Sequence, residues 1–414
     1  MRFDEFELND QLLEAISYMG FEKASPIQEK AIPEILNNHD LIAFAQTGTG
    51  KTAAFVLPIL HKIAQNPDSG INTLIIVPTR ELAIQIEQQI QGFSYFLPVN
   101  SIAIYGGGDG ADYSVEAKAL KKHTDIIVAT PGRMISHLNV GKINFENLKH
   151  LVLDEADRML DMGFYDDIMR IVSYLPKKRQ TLMFSATMPP KIKKLAQSIL
   201  IKPKEISIEL SKPAEGVVQE AYFVGDELKT RLITHILAEK KEYSSVLIFT
   251  STKAKVNKIA SGLRGKGYRV EGISSDLDQK RREEVLMEFR SHRARVLVAT
   301  DVLSRGIDIK EISLIINYDV PHDAEDYVHR VGRTARAETT GVAITLINKS
   351  EYRKFLRIEK LIGKEVPKIG LPPELGNNSE AEPPSEQRIF KQNKKNFRRP
   401  KRAPNRDNPA EKHS

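Results

Sequence analysis

The chain of 414 residues has no cysteine, which excludes a disulfide framework, thiolate catalysis and the Cys-rich zinc sites. No apolar run approaches the roughly 20 residues that a bilayer-spanning helix needs. The opening residues Met1-Arg2-Phe3-Asp4-Glu5-Phe6-Glu7 contain no apolar signal core. A cytoplasmic protein without membrane association is the expectation. Charge excess is also missing from most of the chain: the formal net charge is +7, but the segment 388–414 alone carries ten Lys/Arg and two Asp/Glu. That segment is therefore +8, which leaves −1 for residues 1–387.

What the chain does have is enough apolar material for real cores, with 41% hydrophobic and 28% charged residues. Single cores rarely grow past about 250 residues, so two domains are expected. Short apolar, β-branched runs at 41–45, 73–77, 101–105, 125–129, 150–153 and 181–184 alternate with helical patterns. Such alternation predicts βαβ units and a parallel sheet. Runs at 246–249, 295–299, 314–317 and 342–347 predict a second α/β unit.

Between the two sets, residues 201–216 (IKPKEISIELSKPAEG) carry two prolines, a glycine and mixed charges, and read as a connector with the boundary near Ser211. The expected division is a first domain at 1–210, a linker at 211–216, a second domain at 217–370 and a tail at 371–414. The tail is Pro-, Asn-, Ser- and charge-rich and cannot bury enough apolar area to offset chain entropy, so it is expected to be disordered. Its basic charge would raise affinity for nucleic acid through counterion release. A solubility tail without a ligand is the alternative.

The run at 41–45 leads directly into Gln46-Thr47-Gly48-Thr49-Gly50-Lys51-Thr52, followed by an apolar stretch of helical character. This is the context of a phosphate-binding loop. Backbone N–H groups of Thr47, Gly48, Thr49 and Gly50 would turn toward phosphates, with the helix N-terminus adding a favourable dipole. Lys51 would reach the β- and γ-phosphates, and the Thr52 hydroxyl would ligate magnesium. Ala45 stands where the strict pattern has glycine, so the strand-loop-helix context carries the reading. A Gly-rich turn before a helix is the plain alternative.

A second element bears on that choice. The strand at 150–153 ends in Asp154-Glu155-Ala156-Asp157. Carboxylates at the C-terminal end of such a strand sit where α/β folds bind ligands. Asp154 can hold magnesium, directly or through water, and Glu155 can orient and deprotonate an attacking water. Alone, these acids could cap a helix; beside the upstream loop they make a phosphoryl-transfer site.

At Asp154-Glu155-Ala156-Asp157 the chain resembles the DEAD-box helicases, over residues from about 3 to about 347. The resemblance implies two tandem RecA-like parallel-sheet domains and an RNA-stimulated ATPase. Gly20-Phe21-Glu22-Lys23-Ala24-Ser25-Pro26-Ile27-Gln28 is similar to the family's adenine-reading motif, with Gln28 as the amide and Phe21, with Phe3 upstream, as aromatic faces. Ala24-Ser25 stands where the family has Pro-Thr. Three segments resemble those that hold the RNA backbone in the first lobe: Pro78-Thr79-Arg80-Glu81-Leu82-Ala83, Gly106-Gly107 and Thr130-Pro131-Gly132-Arg133. Their hydroxyl, guanidinium and N–H groups suit phosphates and cannot distinguish bases.

Ser185-Ala186-Thr187 resembles the coupling motif, whose hydroxyls would bond the acidic segment. In the second lobe the resemblance takes in Leu247-Ile248-Phe249-Thr250, Gln279 and Arg282, then Ala299-Thr300-Asp301 through Arg305-Gly306-Ile307-Asp308. It assigns Arg282 and Thr300 to RNA and Asp308 to the ribose. In Tyr327-Val328-His329-Arg330-Val331-Gly332-Arg333-Thr334-Ala335-Arg336 it makes Arg333 and Arg336 arginine fingers, with Ala335 in place of the family's usual glycine. The implied function is a monomeric ATP- and magnesium-dependent motor that clamps single-stranded RNA and locally opens duplexes, largely without regard to sequence. Ribosomal or RNA-decay proteins are the expected partners. A DNA-directed motor and an ATP-gated RNA clamp are the rival readings.

Overall fold

The central strands are continuous aliphatic runs, as expected where helices cover both faces of each sheet and neither face needs polar residues. The computed structural model describes residues 1–45, 49–67, 70–106, 110–120, 124–141, 143–208, 217–274, 276–300, 312–334 and 341–376. The first sheet contains β1 (Leu41–Phe44), β2 (Thr73–Ile76), β3 (Ser101–Ile104), β4 (Ile126–Ala129), β5 (His150–Leu153), β6 (Gln180–Ser185) and β7 (Lys204–Ser207). They run parallel in the order β3-β4-β2-β5-β6-β1-β7.

The second sheet contains β8 (Val217–Phe223), β9 (Val246–Thr250), β10 (Val270–Ile273), β11 (Val296–Thr300), β12 (Leu314–Asn317), β13 (Gly341–Ile347) and β14 (Lys368–Ile369). Its parallel order is β10-β11-β9-β12-β13-β8-β14. Strand for strand this repeats the first sheet, so the chain is one α/β design used twice, as two tandem RecA-like domains.

In the first lobe, α1 (Asp10–Tyr18), α2 (Pro26–Leu36), α3 (Lys51–Gln65) and α4 (Arg80–Phe93) bury their apolar faces on one side of the sheet. On the other side lie α6 (Pro131–Asn139), α7 (Ala156–Asp161), α8 (Tyr165–Ser173) and α9 (Pro190–Ile199), with α5 (Gly110–Ala119) between β3 and β4 in the chain. The second lobe packs α10 (Asp226–Glu239) and α11 (Lys253–Arg264) on one face. It packs α12 (Gln279–Arg290), α13 (Ala324–Val331) and α14 (Tyr352–Ile362) on the other.

The fold departs from the sequence expectations at the sheet edges. Residues 201–216 are not all connector: β7 lies within them and pairs with β1, though only Ile206 of its four residues is buried. Residues 371–376 also differ from the expected disorder, because Leu371 and Leu375 pack against the apolar layer under α10, with a 3-10 turn at Pro373–Leu375. The expected linker at 211–216 lies outside the described residues, as does the basic segment from 377 onward.

A candidate nucleotide site between the two lobes

Every segment singled out in the first lobe follows a strand at the C-terminal edge of the sheet or packs against one that does. Of the phosphate loop, Thr49 and Gly50 are described, whereas Thr47 and Gly48 lie outside the described residues. Gly50 precedes α3 at φ +90°, and a Cβ there would come 2.5 Å from Gln28 Nε2 and 2.9 Å from Ser25 Oγ. Only glycine fits, on both counts. The Ser25 hydroxyl donates to the Thr49 carbonyl at 2.7 Å, and Gln28 Nε2 donates to the Gly50 carbonyl at 3.0 Å. Gln28 Oε1 accepts from the Ser25 N–H at 2.8 Å, closing the cap of α2. The motif expected to read adenine is thus also the clasp that shapes the loop. Gln28 keeps one amide N–H and one carbonyl lone pair for a ligand. Phe21 packs edge-on against Phe3 and Phe93, with ring centroids 6.3 and 5.5 Å away.

Lys51 begins α3 and points its Nζ to within 3.7 Å of Asp154 Oδ1, with both side chains buried. Burial pushes the Asp154 carboxyl up to about 6 against the pull of Lys51. Burial also pushes Glu155 up, but Arg158, Lys51 and Arg333 together hold it below the ordinary carboxylate range. Arg158 Nη1 donates to Glu155 Oε2 at 3.2 Å. Glu155 sits in the left-handed region at φ 50°, ψ 49°, an unfavourable conformation for a non-glycine residue that aims its carboxylate into the cleft. Thr52 and Asp154 are hard oxygen donors, and among the described residues no group of three His, Cys, Asp or Glu side chains forms a metal cage. Such a set fits magnesium, which takes one or two protein ligands and fills its other positions with phosphate and water.

The coupling segment meets the expectation at one hydroxyl of two. Asp157 Oδ2 accepts from the N–H groups of Ala186 and Thr187 at 3.0 and 3.1 Å and from the Thr187 hydroxyl at 3.2 Å. The Ser185 hydroxyl does not reach the acids; it donates to the Thr187 carbonyl at 2.8 Å. Asp157, which sequence reasoning left without a role, is the hub that ties the acidic turn to the end of β6.

A cavity of about 450 Å³ opens on these groups, and both lobes line it. Lys51, Glu155, Asp157, Arg158 and Thr187 come from the first lobe; Asp326, His329 and Arg333 come from the second. Asp326 and Arg158 lie outside the motifs read from the sequence, and His329 lies within the run at 327–336 but was given no role there. Arg336 and Asp308 lie outside the described residues.

The RNA-assigned residues gather on the β3-β4-β2 half of the same edge, beside the nucleotide set on β1, β5 and β6. Pro78 is buried after β2, and Thr79 caps α4 by accepting from the Leu82 N–H at 3.3 Å. Arg80 stacks over Tyr105 at 4.5 Å and pairs with Glu283 of the second lobe at 2.9 Å. Gly106 is exposed after β3, Thr130 precedes α6, and Gly107 lies outside the described residues. Arg133 is held by Glu116 at 2.7 Å and lies over the Tyr113 ring, leaving its Nη2 without a hydrogen bond among the described residues. Across the cleft, Thr300 ends β11, and Arg282 stands 3.9 Å from Glu81.

Comparison with known proteins follows the same division. Residues 25–195 match the family described as DEAD/DEAH box helicase, and residues 228–338 match the helicase conserved C-terminal domain. The chain is 42% identical over 372 residues to the ATP-dependent RNA helicase CshA of Listeria monocytogenes, spanning 90% of this chain and 71% of that protein. It is 41% identical over 371 residues to the DEAD-box ATP-dependent RNA helicase CshA of Geobacillus kaustophilus, spanning 89% and 78%. Among solved structures, S. cerevisiae Dbp5 bound to RNA and ADP BeF3 superposes with a TM-score of 0.78 at 32% identity, covering 89% of this chain and 95% of that one. Matched in both lobes and along most of its relatives' length, the chain belongs to the DEAD-box family of ATP-dependent RNA helicases.

Proposed function

We propose that the cavity between the lobes is the ATPase centre of this helicase, assembled from Lys51, Thr52, Asp154 and Glu155 on one side and Arg333 on the other. The observation that carries the proposal is that Lys51, Glu155 and Arg333 line one cavity although they belong to separate lobes. Gln28 and Phe21 take the adenine, and Lys51 with the Thr47–Gly50 backbone takes the phosphates. Thr52 and Asp154 hold magnesium, which when bound supplies positive charge at the β- and γ-phosphates. Glu155, kept ionised by its cationic neighbours, accepts a proton from water as the water oxygen bonds to the γ-phosphorus. The bond from that phosphorus to the bridging oxygen breaks, and its electron pair leaves with ADP. Arg333, and Arg336 by the family's pattern, meet the negative charge that develops. Asp308 completes the site at the ribose.

RNA lies along Pro78, Thr79, Arg80, Gly106, Gly107, Thr130 and Arg133 of the first lobe and Arg282 and Thr300 of the second. These groups address phosphates and sugars, so binding is largely independent of sequence. Each lobe holds half of each site, so ATP and RNA both favour approach of the lobes and strengthen each other's binding. A track shaped for a bent single strand rejects a straight duplex, and local opening follows from binding. The Asp157–Thr187 bond links the acidic turn to β6 and transmits nucleotide state. Monomeric action in the cytoplasm, alongside ribosomal or RNA-decay proteins, belongs to the same reading.

RNA-stimulated ATPase measured together with duplex unwinding tests it, with Glu155→Gln as the control. That variant is expected to bind ATP and RNA like the parent while turning over at least about 100-fold more slowly. Equal turnover would strip Glu155 of its role, and equal stimulation by DNA of the same sequence would point to a DNA-directed motor.

A further inference from the structure

The opposite edge of the first sheet holds a larger cavity, open and of about 1090 Å³, that takes no part in the ATP or RNA sites. It lies where the N-terminal ends of β2, β5 and β6 meet the C-terminal ends of α2 and α3. Ordinary ligand pockets run from about 300 to 1,000 Å³, so the space is ample for a molecule of nucleotide size.

One wall contains a half-buried cation whose hydrogen-bond partners among the described residues are neutral. Lys62 Nζ donates to the Ile35 carbonyl at 2.5 Å, to Asn38 Oδ1 at 2.6 Å and to Gln180 Oε1 at 3.2 Å. Burial brings its pKa down to about 8, so an anion in the cavity would relieve the desolvation of this ammonium group. His150, at the start of β5, is 3% exposed and lines the same space. Its Nδ1 has no hydrogen-bond partner among the described residues. Buried polar atoms are almost always paired, and this nitrogen, closed off behind the cavity wall, would need a small turn of the ring to find a partner in the cavity.

Arg179 repeats the pattern: Nη1 donates to the Pro176 carbonyl at 2.8 Å, while Nε is buried with no hydrogen-bond partner among the described residues. Lys149 and Lys178 stand exposed at the rim. Two lining carboxylates, Glu7 and Glu146, accompany these four cations, and Asp40, outside the lining, also acts on Arg179. The C-terminal ends of α2 and α3 put partial negative charge on one wall, and Lys62 offsets it for α2 through the Ile35 carbonyl. An anion is therefore favoured at the other wall, by Arg179, Lys149 and Lys178. The amides of Asn66, Asn72 and Asn147 line the rest of the space, and Asn72 Oδ1 already accepts from the Thr73 hydroxyl at 3.0 Å.

We propose that this cavity is a second ligand site, for a phosphorylated small molecule of mononucleotide size, with its phosphate on Arg179, Lys149 and Lys178 and its polar body against the amides and His150. The test uses the full chain with its ATP site saturated by a non-hydrolysable ATP analogue and magnesium. Guanosine diphosphate and uridine monophosphate are then titrated in by calorimetry. Saturable binding of either probe, one per chain, is expected, weakened at least about tenfold by the double substitution Lys149→Gln, Lys178→Gln and by Arg179→Gln. Both lysines are exposed, so the double variant keeps the parent's melting temperature and its affinity for the ATP analogue. In the unsubstituted protein, the His150 imidazole resonances shift when the probe is added. Absence of saturable binding by both probes up to about 10 mM, or binding left intact by the substitutions, overturns the proposal. So does a double variant that loses RNA affinity instead, since the cavity would then extend the RNA path.

Discussion

Lys229 and Asp319 explain why a chain that uses one α/β design twice has its nucleotide loop in one lobe. In the first lobe, Lys51 after β1 lines a cavity, and the buried Asp154 after β5 stands 3.7 Å from it. At the matching places of the second lobe, Lys229 in α10 is fully buried, bonded to Glu351 at 3.0 Å and Asp226 at 3.1 Å, and lies 4.0 Å from Asp319. Asp319 in turn accepts from the Thr250 hydroxyl at 2.8 Å, the Ser251 N–H at 2.7 Å and Lys255 at 2.6 Å. The lysine that could meet a phosphate is already met by carboxylates. Burial pushes the Asp319 carboxyl up, but Lys255, Ser251 and Thr250 more than reverse this and hold it at about 2. A folded pKa below the unfolded value of about 3.9 stabilises the fold above pH 4 and stops doing so as pH falls toward 2. The loss amounts to about 2 kcal/mol. Urea midpoints of the parent should therefore drop between pH 5 and pH 2.5 by more than those of Asp319→Asn, which lacks the titrating group; parallel curves would refute the assignment.

At the scale of elements, α2 and the phosphate loop form one unit, because Ser25 and Gln28 bond the Thr49 and Gly50 carbonyls. A side chain that only read adenine would affect nucleotide affinity alone. Gln28→Ala removes bonds from a buried site, so it should lower stability without nucleotide by about 1–3 kcal/mol as well as weakening ATP. Thermal melting of the nucleotide-free protein checks this, and an unchanged melting temperature would restrict Gln28 to base reading. This clasp was invisible in the sequence, where the two segments are more than 20 residues apart. The central strands were legible because both their faces are buried and their text is continuously aliphatic. The strands missed are those with less of that text: β7 buries one residue in four, β10 contains Glu271 and Gly272, and β14 has two residues. β8 alternates buried and exposed positions, a period-two signal that was present but lies next to the connector. Those motif residues after strands that are described stand at the C-terminal edge, a position that follows from the βαβ pattern. Asp157, Arg158 and His329 were not singled out, because their contacts depend on how turns and lobes meet.

For the whole molecule, the decisive quantity is how the lobes face each other. Arg333 reaches the first lobe's cavity from the second, so Arg333→Ala should lower RNA-stimulated ATPase by about 10³-fold or more while ATP affinity, supplied mainly by the first lobe, changes little. Comparable losses in both would place Arg333 in ground-state binding instead. On the RNA side, the lobes are joined by two reciprocal pairs, Arg80 with Glu283 at 2.9 Å and Arg282 with Glu81 at 3.9 Å. Both arginines are assigned to RNA phosphates, so each glutamate holds a guanidinium group that RNA must claim. Glu283 is half exposed, and a pair in that setting is worth at most about 1 kcal/mol. Removing it should help RNA by no more than about fivefold. Glu283→Gln is therefore expected to raise RNA affinity two- to fivefold without ATP, as read by about the same change in fluorescence anisotropy midpoint. The gain should shrink at high salt, where the competing pair is already screened. A variant that binds RNA more weakly would show instead that Glu283 orients Arg80 for its phosphate, making the carboxylate a support of the RNA track and not a competitor for it.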